Sequence, residues 1–319
     1  MIFADRVLAA ERRIRPYVRE TPLIESPGLS AQSGARIWLK LENLQITGSF
    51  KLRGALSKVL TLTEAEKARG VVTASTGNHG AATAYAGRIA GIVPTVFVPH
   101  GAAPSKVDRI KSFGARVEVH GDDSGVTERH AREVAERTGQ VFVSPYNDWD
   151  VMAGQGTIGA ELLRQCPDLD AVVVAVGGGG LIGGIAGHLK AHRPSIDVIG
   201  CQPVNSAVMA QSVEAGTILD LPSLPTLSDG TAGGVEDDTV TFEYCRTAVD
   251  RYDLVDEAAI AEGVRTAFHE ERLVVEGAAG LAIASALRVA PEYVGRRLVV
   301  VLCGGNIGAD AWCGVMQRR

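Results

Sequence analysis

The chain lacks several features that mark particular classes of protein. Its five cysteines are odd in number and include no CxxC pair, which argues against a disulfide framework or a zinc site and favours a reducing, cytoplasmic compartment. No apolar run approaches the ~20 residues needed to cross a bilayer. The first 18 residues carry Asp5, Glu11 and several arginines within their apolar pattern. That pattern predicts an amphipathic helix and not a signal peptide.

The chain also lacks an excess of charge of one sign. It has 32 basic and 37 acidic side chains, a net charge of −5, and no long run of either kind. Because nucleic-acid binding depends on a concentrated basic surface, this balance argues against such a partner. The 319 residues suffice for one large domain or two modest ones, each with its own core.

Short β-branched runs alternate with segments of helical periodicity. The strand-like runs are 36–41, 71–74, 95–98, 116–119, 141–143, 171–176, 197–201 and 298–303, and the helical segments include 52–60, 81–90, 105–113, 125–137 and 157–163. This alternation predicts parallel sheets with helical crossovers, an α/β fold. We expect a small α/β domain at 70–145, with 1–69 and 146–319 building a larger one.

Lys51 lies in KLENLQITGSFKLRG, between a strand-like run and a helical segment. An amine at the positive N-terminal end of a helix is easier to deprotonate, and amines tuned in this way form Schiff bases with carbonyl cofactors. By its position alone, Lys51 fits an ordinary surface lysine better, as most of the chain's lysines must be.

Glycine-rich or polar segments follow three of the predicted strands. Gly177–Gly180 and Leu181 join a buried strand to a helix, where backbone N–H groups suit a phosphate, although the spacing is neither that of a dinucleotide fingerprint nor that of a P-loop. Residues 75–80, STGNHG, either bind a carboxylate or simply cap a helix. Residues 303–306, CGGN, end a third strand. Since ligands of open α/β sheets gather at the carboxyl ends of strands, we expect one shared crevice.

Together these segments resemble the fold-type II pyridoxal-phosphate enzymes, in particular the branch of serine/threonine dehydratases and serine racemases. The resemblance runs nearly end to end and includes TPL, KLENLQITGSFKLRG, STGNHG, PSKVDRIKSFGARV, AGQGTIGAE, GGGGL, VVEGAAG and LCGGN. It implies two open, twisted parallel-sheet lobes (the tryptophan synthase β-like fold) with pyridoxal phosphate in the cleft between them.

The resemblance also implies roles for individual residues. Lys51 would form the Schiff base with pyridoxal phosphate and act as the base at the substrate's Cα. Cys303 would lie opposite the pyridine nitrogen, where a neutral partner gives a weaker electron sink and favours β-elimination. The remaining assignments are Phe50 on one ring face, Asn78 on the ring hydroxyl, Gly177, Gly178, Gly179, Gly180 and Leu181 at the phosphate, and Ser75, Thr76, Gly77, Asn78 and His79 at the substrate carboxylate.

The expected reaction is that of a lyase. Such an enzyme eliminates water from a β-hydroxy-L-amino acid such as threonine or serine and releases a 2-oxo acid and ammonia through an aminoacrylate. The branch also acts on 3-hydroxyaspartate, phenylserine and products of hydroxyectoine breakdown, and we expect loops 145–154 and 228–235 to line the substrate pocket. Racemisation or β-replacement is the alternative within the fold, and a nucleotide-dependent oxidoreductase is the alternative from another class.

The chain departs from the pattern of this branch at three positions. Thr76 stands where racemases carry a serine base, so it either serves as a base or shapes the pocket. Gln202 and Val208 replace the two carboxylates of the metal-dependent members, which predicts that no divalent ion binds here.

Three further expectations rest on the resemblance. Glu276 either matches a family glutamate beside the cofactor or is an acid favoured by the helix dipole. The chain ends soon after LCGGN, which suggests by analogy a catabolic enzyme without a regulatory domain. The family also suggests a homodimer.

Overall fold

Two separate β-sheets organise the chain. The computed structural model describes residues 2–317. The strands are β1 (Leu23–Glu25), β2 (Arg36–Lys40), β3 (Val71–Ala74), β4 (Thr95–Val98), β5 (Arg116–Val119), β6 (Val141–Phe142), β7 (Ala171–Ala175), β8 (Asp197–Pro203), β9 (Arg251–Val255) and β10 (Arg297–Val301).

Helices precede, connect and follow these strands. They are α1 (Phe3–Ile14), α2 (Pro27–Ser33), α3 (Lys51–Val59), α4 (Glu64–Arg69), α5 (Asn78–Ala90), α6 (Pro104–Ser112), α7 (Ser124–Thr138), α8 (Trp149–Gln165), α9 (Gly180–His192), α10 (Val208–Ala215), α11 (Phe242–Thr247), α12 (Glu257–Glu271), α13 (Gly277–Val289) and α14 (Ala309–Gln317). The predicted N-terminal helix is confirmed as α1, whose buried face includes Val7 and Ile14.

The six-stranded sheet has the order β1-β2-β10-β7-β8-β9, and the four-stranded sheet has the order β5-β4-β3-β6. All neighbouring strands are parallel except β1 and β2. Parallel strands joined by helical crossovers confirm the predicted α/β fold with two lobes. The four-stranded sheet with α5, α6 and α7 is called the small lobe below, and the six-stranded sheet with its helices is called the large lobe.

The central strands of the large lobe are buried on both faces. Every residue of β7 is buried, as its uninterrupted apolar sequence AVVVA requires. Helix α13 contacts β7 and β10, and α8 packs against α9 and α3. This core supports the strand ends on which the site described below is built.

Helix α3 connects the two lobes. Leu52 and Leu56 of α3 belong to the same apolar cluster as Val71 and Ala82 of the small lobe. The predicted domain boundaries assign α3 to the larger domain, and the division at 69/70 and 145/146 stays a prediction. Met1, Arg318 and Arg319, which those boundaries include, lie outside the described residues. Within residues 2–317, none of the helices has the length and apolar character that a membrane crossing requires.

Buried ions fix α3 in place. The guanidinium of Arg53 bonds both Glu42 and Glu161, and Lys40 donates to Glu161, with all four side chains buried. Removing one partner of such a group typically lowers the free energy of unfolding by about 3–5 kcal/mol, because a buried charge is left unpaired. Since Arg53 lies two residues after Lys51, this network also anchors the start of the helix that carries Lys51.

Candidate active site

A cavity of about 460 Å³ lies between the two lobes. Its walls include segments that follow β3, β7 and β10, so the three strand ends do form one crevice. The predicted site residues all line it: Phe50, Lys51, Ser75, Thr76, Gly77, Asn78, His79, Gly177, Gly178, Gly179, Gly180, Leu181 and Cys303. Clefts at the carboxyl ends of parallel strands are the usual ligand sites of open α/β sheets.

Lys51 is the first residue of α3, and its Nζ lies 2.8 Å from the carbonyl oxygen of Pro145, to which it donates. Burial lowers the pKa of this amine to about 8, while the nearby Glu276 opposes the shift. Burial is therefore the main cause of the lowered pKa, ahead of the helix end considered in the sequence analysis. An amine with this pKa reaches its nucleophilic neutral form under mild conditions.

The glycine loop between β7 and α9 requires its glycines. Gly179 has φ +83°, a left-handed conformation that favours glycine, and it precedes α9 without any side-chain cap. A Cβ on Gly178 would lie 2.5 Å from the ring of Tyr146. The N–H groups of the loop and of the first helical turn remain available, which suits a phosphate group.

A second uncapped helix begins at the segment 75–79. No side chain caps α5, and Ser75 Oγ instead accepts from the Gly77 N–H at 3.2 Å. The ring of His79 donates through Nε2 to the carbonyl of Val143 at 2.8 Å, and burial lowers the pKa of His79 to about 3. The imidazole is thus neutral, and its Nε2–H is bonded to the Val143 carbonyl. Only the backbone N–H of His79 is therefore suited to a carboxylate. Thr76 lines the cavity without a hydrogen bond to any described residue.

Cys303 and Glu276 lie together in the wall of the cavity. The Cys303 thiol is 2% exposed, and burial raises its pKa well above the ordinary value, so the sulfur is neutral. Its Sγ lies 4.0 Å from Oε1 of Glu276. Glu276 precedes α13, but its side chain makes no capping bond and instead accepts from the Asn78 amide at 2.9 and 3.0 Å.

The lining of the cavity matches the expected pocket loops only in part. Tyr146 covers the glycine loop, and its hydroxyl accepts from the Glu236 N–H at 3.0 Å. Of the pocket loop expected at 145–154, only Pro145 and Tyr146 line the cavity, because α8 begins at Trp149. The other expected loop contributes residues 229–234, and the helix start at 124–128 was not foreseen.

Gln202 makes internal contacts at the position where metal-dependent relatives carry a carboxylate. Its Nε2 donates to the carbonyl of Val176 at 3.1 Å, and its Oε1 accepts from the Ala210 N–H at 2.7 Å. Among the described residues, no group of three or more His, Cys, Asp or Glu side chains is arranged to hold a metal ion. The absence of a divalent ion stays a prediction.

The model of the pyridoxal-phosphate dependent enzyme family matches residues 14–304. The chain belongs to this family. It is 40% identical over 310 residues to an L-threonine ammonia-lyase of Thermotoga maritima, covering 97% of this chain and 77% of the relative. It is 39% identical to a serine racemase of Arabidopsis thaliana over 93% of this chain and 91% of the relative. A threonine deaminase isoform 2 of Solanum lycopersicum shares the fold with a TM-score of 0.95 and 32% identity, over 99% of this chain and 92% of that structure.

The cavity offers the groups that pyridoxal phosphate requires. The aldehyde of this cofactor needs an amine, which Lys51 supplies with a lowered pKa. Its phosphate needs converging N–H groups, which the glycine loop presents where side chains are sterically excluded. Its pyridine nitrogen needs a polar neighbour, and the Cys303 thiol is in the same wall. This family member is a pyridoxal-phosphate dependent enzyme whose own residues fit the cofactor.

Proposed function

We propose that the protein is a dehydratase, or ammonia-lyase, that eliminates water from a β-hydroxy-L-amino acid of the threonine or serine type. The observation that carries the proposal is the pairing, in one cavity, of a Lys51 amine with a lowered pKa and a neutral thiol at Cys303. The relatives named L-threonine ammonia-lyase and threonine deaminase support the same reaction.

In this proposal the cofactor is held by residues on two sides of the cavity. Lys51 would form the covalent link, Gly177–Gly180 and the Leu181 N–H would hold the phosphate, and Phe50 and Asn78 would contact the ring. When bound, pyridoxal phosphate supplies an electron sink for the bonds at Cα. Cys303, neutral because it is buried, would be the polar neighbour of the pyridine nitrogen and would not fix a proton there. The weaker sink that results favours elimination over reactions that need a long-lived carbanion.

The protein residues then act on the substrate. The N–H groups of Asn78 and His79 at the start of α5 bind the carboxylate, because an uncapped helix N-terminus favours an anion. Once the substrate amine has displaced it, Lys51 Nζ takes the proton from Cα. The electron pair left at Cα forms the double bond to Cβ as the bond from Cβ to the hydroxyl oxygen breaks. The hydroxyl group takes the proton that Lys51 Nζ removed from Cα and leaves as water. Hydrolysis of the released enamine yields the 2-oxo acid and ammonia.

Racemisation is the second candidate. The hydroxyl of Thr76 lines the cavity, and one of the relatives is named serine racemase. A base on the face of Cα opposite Lys51 would allow reprotonation there. We therefore expect Thr76→Ala to reduce any racemisation by at least about tenfold while elimination persists, which chiral chromatography of the recovered serine would measure.

The direct test is the release of 2-oxo acid and ammonia from a panel of β-hydroxy amino acids by the holoenzyme. We expect turnover of L-threonine or L-serine and none with their counterparts that lack a β-leaving group, L-2-aminobutyrate and L-alanine. Lack of turnover with the whole panel, by protein that carries the cofactor, would contradict the proposal.

Four finer points stay proposals. A homodimer and a cytoplasmic compartment follow from the resemblance and from cysteines that are all free. Full activity in EDTA is expected, because Gln202 occupies its position with backbone contacts, and loss of activity that Mg²⁺ restores would contradict this. We also propose that residues 70–145 form a domain of their own.

A further inference from the structure

Glu276 is a buried acid for which the sequence left two roles open, a neighbour of the cofactor and an acid favoured by the helix dipole. Its side chain is 6% exposed, and it lies at the end of the loop that leads into α13. A Cβ on Gly304 would come within 2.6 Å of the carboxyl carbon and of both its oxygens. The carboxyl group therefore lies flat on the backbone that follows β10, in the wall of the cavity.

Every polar group in contact with this carboxyl group is a hydrogen-bond donor. The Asn78 amide donates to both oxygens, at 2.9 and 3.0 Å, and the Asn306 N–H donates to Oε2 at 3.1 Å. The Cys303 thiol lies 4.0 Å from Oε1. An ionised carboxylate accepts from Asn78 and Asn306 at both oxygens, whereas a protonated carboxyl would need an acceptor for its own hydrogen, and the Cys303 sulfur is only a weak one. These bonds favour the ionised form, whereas burial raises the pKa of Glu276 above its usual value.

The contacts of Glu276 cross from one lobe to the other. Asn78 is the first residue of α5 in the small lobe, whereas Glu276 and Asn306 belong to the large lobe. The side chain of Asn306 completes the group by donating to Asn78 Oδ1 at 2.5 Å and to the Thr47 carbonyl at 3.0 Å. The carboxylate thus holds the start of α5, where the substrate carboxylate is proposed to bind, in a defined position relative to Lys51.

The charged and titratable groups around Glu276 are few. Lys51 and Cys303 line the same cavity, and Asp229 and Lys106, which form an ion pair at 3.5 Å, also act on the pKa of Glu276. Negative charge at Glu276 favours the cationic form of the nitrogen of Lys51. Removal of that charge should therefore lower the pKa of Lys51 further.

We propose that Glu276 is a positioning residue of the active site, whose ionised carboxylate holds Asn78 and the start of α5 across the cleft and stabilises positive charge on the nitrogen of Lys51. The inference rests on the proposed function for the identity of the site. It adds a residue that acts through Asn78 and Lys51 without itself contacting the substrate.

The first test uses the cofactor-free protein and needs no turnover. The rate at which an amine-reactive reagent labels Lys51 is followed against pH by peptide mass spectrometry. Glu276→Gln is expected to lower the midpoint by about 1 pH unit, the effect of losing a nearby opposite charge. Glu292→Gln, which removes an exposed carboxylate paired with Arg251, is the matched control and should leave the midpoint unchanged. An unshifted midpoint in a folded Glu276→Gln protein would overturn the inference.

The second test separates positioning from support of the fold. In the holoenzyme, Glu276→Gln should reduce kcat/KM by at least about tenfold and weaken cofactor binding, whereas Glu276→Asp, which keeps the charge and both acceptors, should recover part of each. Equal losses in the two variants with a parallel fall in Tm would show a purely structural role and contradict the proposal. If Glu276→Gln does not fold, the labelling midpoint of Glu276→Asp is the test. A midpoint within about 0.3 pH units of wild type supports the inference, and a fall of about 1 pH unit refutes it.

Failure of the dehydratase proposal would give a different result from failure of the role proposed for Glu276. A wild-type protein that turns over no hydroxy amino acid, while Glu276→Gln still shifts the labelling midpoint, would refute the dehydratase and leave the role of Glu276 intact.

Discussion

Burial sets the protonation state of the residues around the cavity. It lowers the pKa of Lys51 to about 8 and that of His79 to about 3, and it raises the pKa of the Cys303 thiol well above its ordinary value. In each case the low-dielectric surroundings favour the neutral form, which is deprotonated for the two bases and protonated for the thiol. The same burial therefore provides a reactive amine and a neutral neighbour for the pyridine nitrogen.

Lys51→Met should stabilise the cofactor-free protein at pH 7. The pKa of Lys51 falls from 10.5 to about 8 on folding, so the folded wild-type chain binds fewer protons than the unfolded chain between these values. Its free energy of unfolding therefore rises with pH through that window. We expect an advantage of Lys51→Met of up to about 3 kcal/mol below pH 8, which shrinks as the pH approaches 10.5.

Urea unfolding of the two cofactor-free proteins at several pH values measures this difference. Lys58→Met, at a lysine paired with Asp148 on the far end of the same helix, is the control and should not stabilise the protein. A difference between Lys51→Met and wild type that stays constant from pH 7 to 10.5 would contradict the lowered pKa.

Helix starts are the elements that make the cavity a site for anions. Helices α3, α5, α9 and α13 begin at its wall without a side-chain cap, whereas α7, which also begins there, is capped by Asp123. Elsewhere, α2, α4, α8 and α12 begin with side-chain caps from Ser26, Thr63, Asp148 and Asp256. The uncapped ends leave N–H groups for a ligand, together with the positive end of each helix dipole.

Gly178→Ala should weaken the binding of pyridoxal phosphate by at least about tenfold. The added methyl group would collide with the ring of Tyr146 at 2.5 Å, and relief of that contact must move either the loop or the ring. Gly183→Ala in α9 is the matched control, because its Cβ would meet the flexible end of Met152 at 3.3 Å. Fluorescence titration with the cofactor measures both constants, and equal affinity of the two variants would refute a phosphate cradle at Gly178.

Sequence patterns predicted most elements of the fold, for local reasons. Strands β3, β4 and β5 have the predicted bounds, because each is a short β-branched run with turn residues on either side. Strand β1 was missed because it has only three residues at a sheet edge, and β9 because its sequence RYDLV interleaves charged with apolar residues. Both are edge strands, whose pairing depends on a neighbour distant in sequence.

At the scale of the whole molecule, polar contacts hold the two lobes together around the cleft. Arg132 of α7 forms an ion pair with Glu236 at 3.0 Å, and Arg109 of α6 donates to the Thr47 carbonyl at 3.0 Å. Glu236 also accepts from the Asn147 amide at 2.9 Å. The lobes are thus joined at several points of the rim by groups that can separate at modest cost.

Glu236→Gln should loosen this closure. The variant loses the charge that pairs with Arg132 across the cleft, so we expect KM for the amino acid to rise by about two- to tenfold, with a smaller change in kcat. Asp237→Asn, at the exposed neighbouring position, is the control and should resemble wild type. Steady-state kinetics at low and high salt would test this, and a Glu236→Gln enzyme with wild-type KM at low salt would contradict it.

The arrangement of the two lobes could not be predicted from the sequence. The motifs at strand ends could be placed in one crevice because parallel strands present their carboxyl ends together. The contact of Tyr146 with Gly178, and the donors from both lobes around Glu276, depend on how one sheet lies against the other. No local pattern encodes that relation.

The central claim is that Lys51 is the covalent anchor of pyridoxal phosphate. Reduction of the holoenzyme with borohydride, followed by proteolysis and mass spectrometry, tests this directly. We predict one pyridoxyl adduct, on the peptide that contains Lys51, and its disappearance in Lys51→Ala. An adduct on another lysine, or none in protein that binds the cofactor, would contradict the central claim.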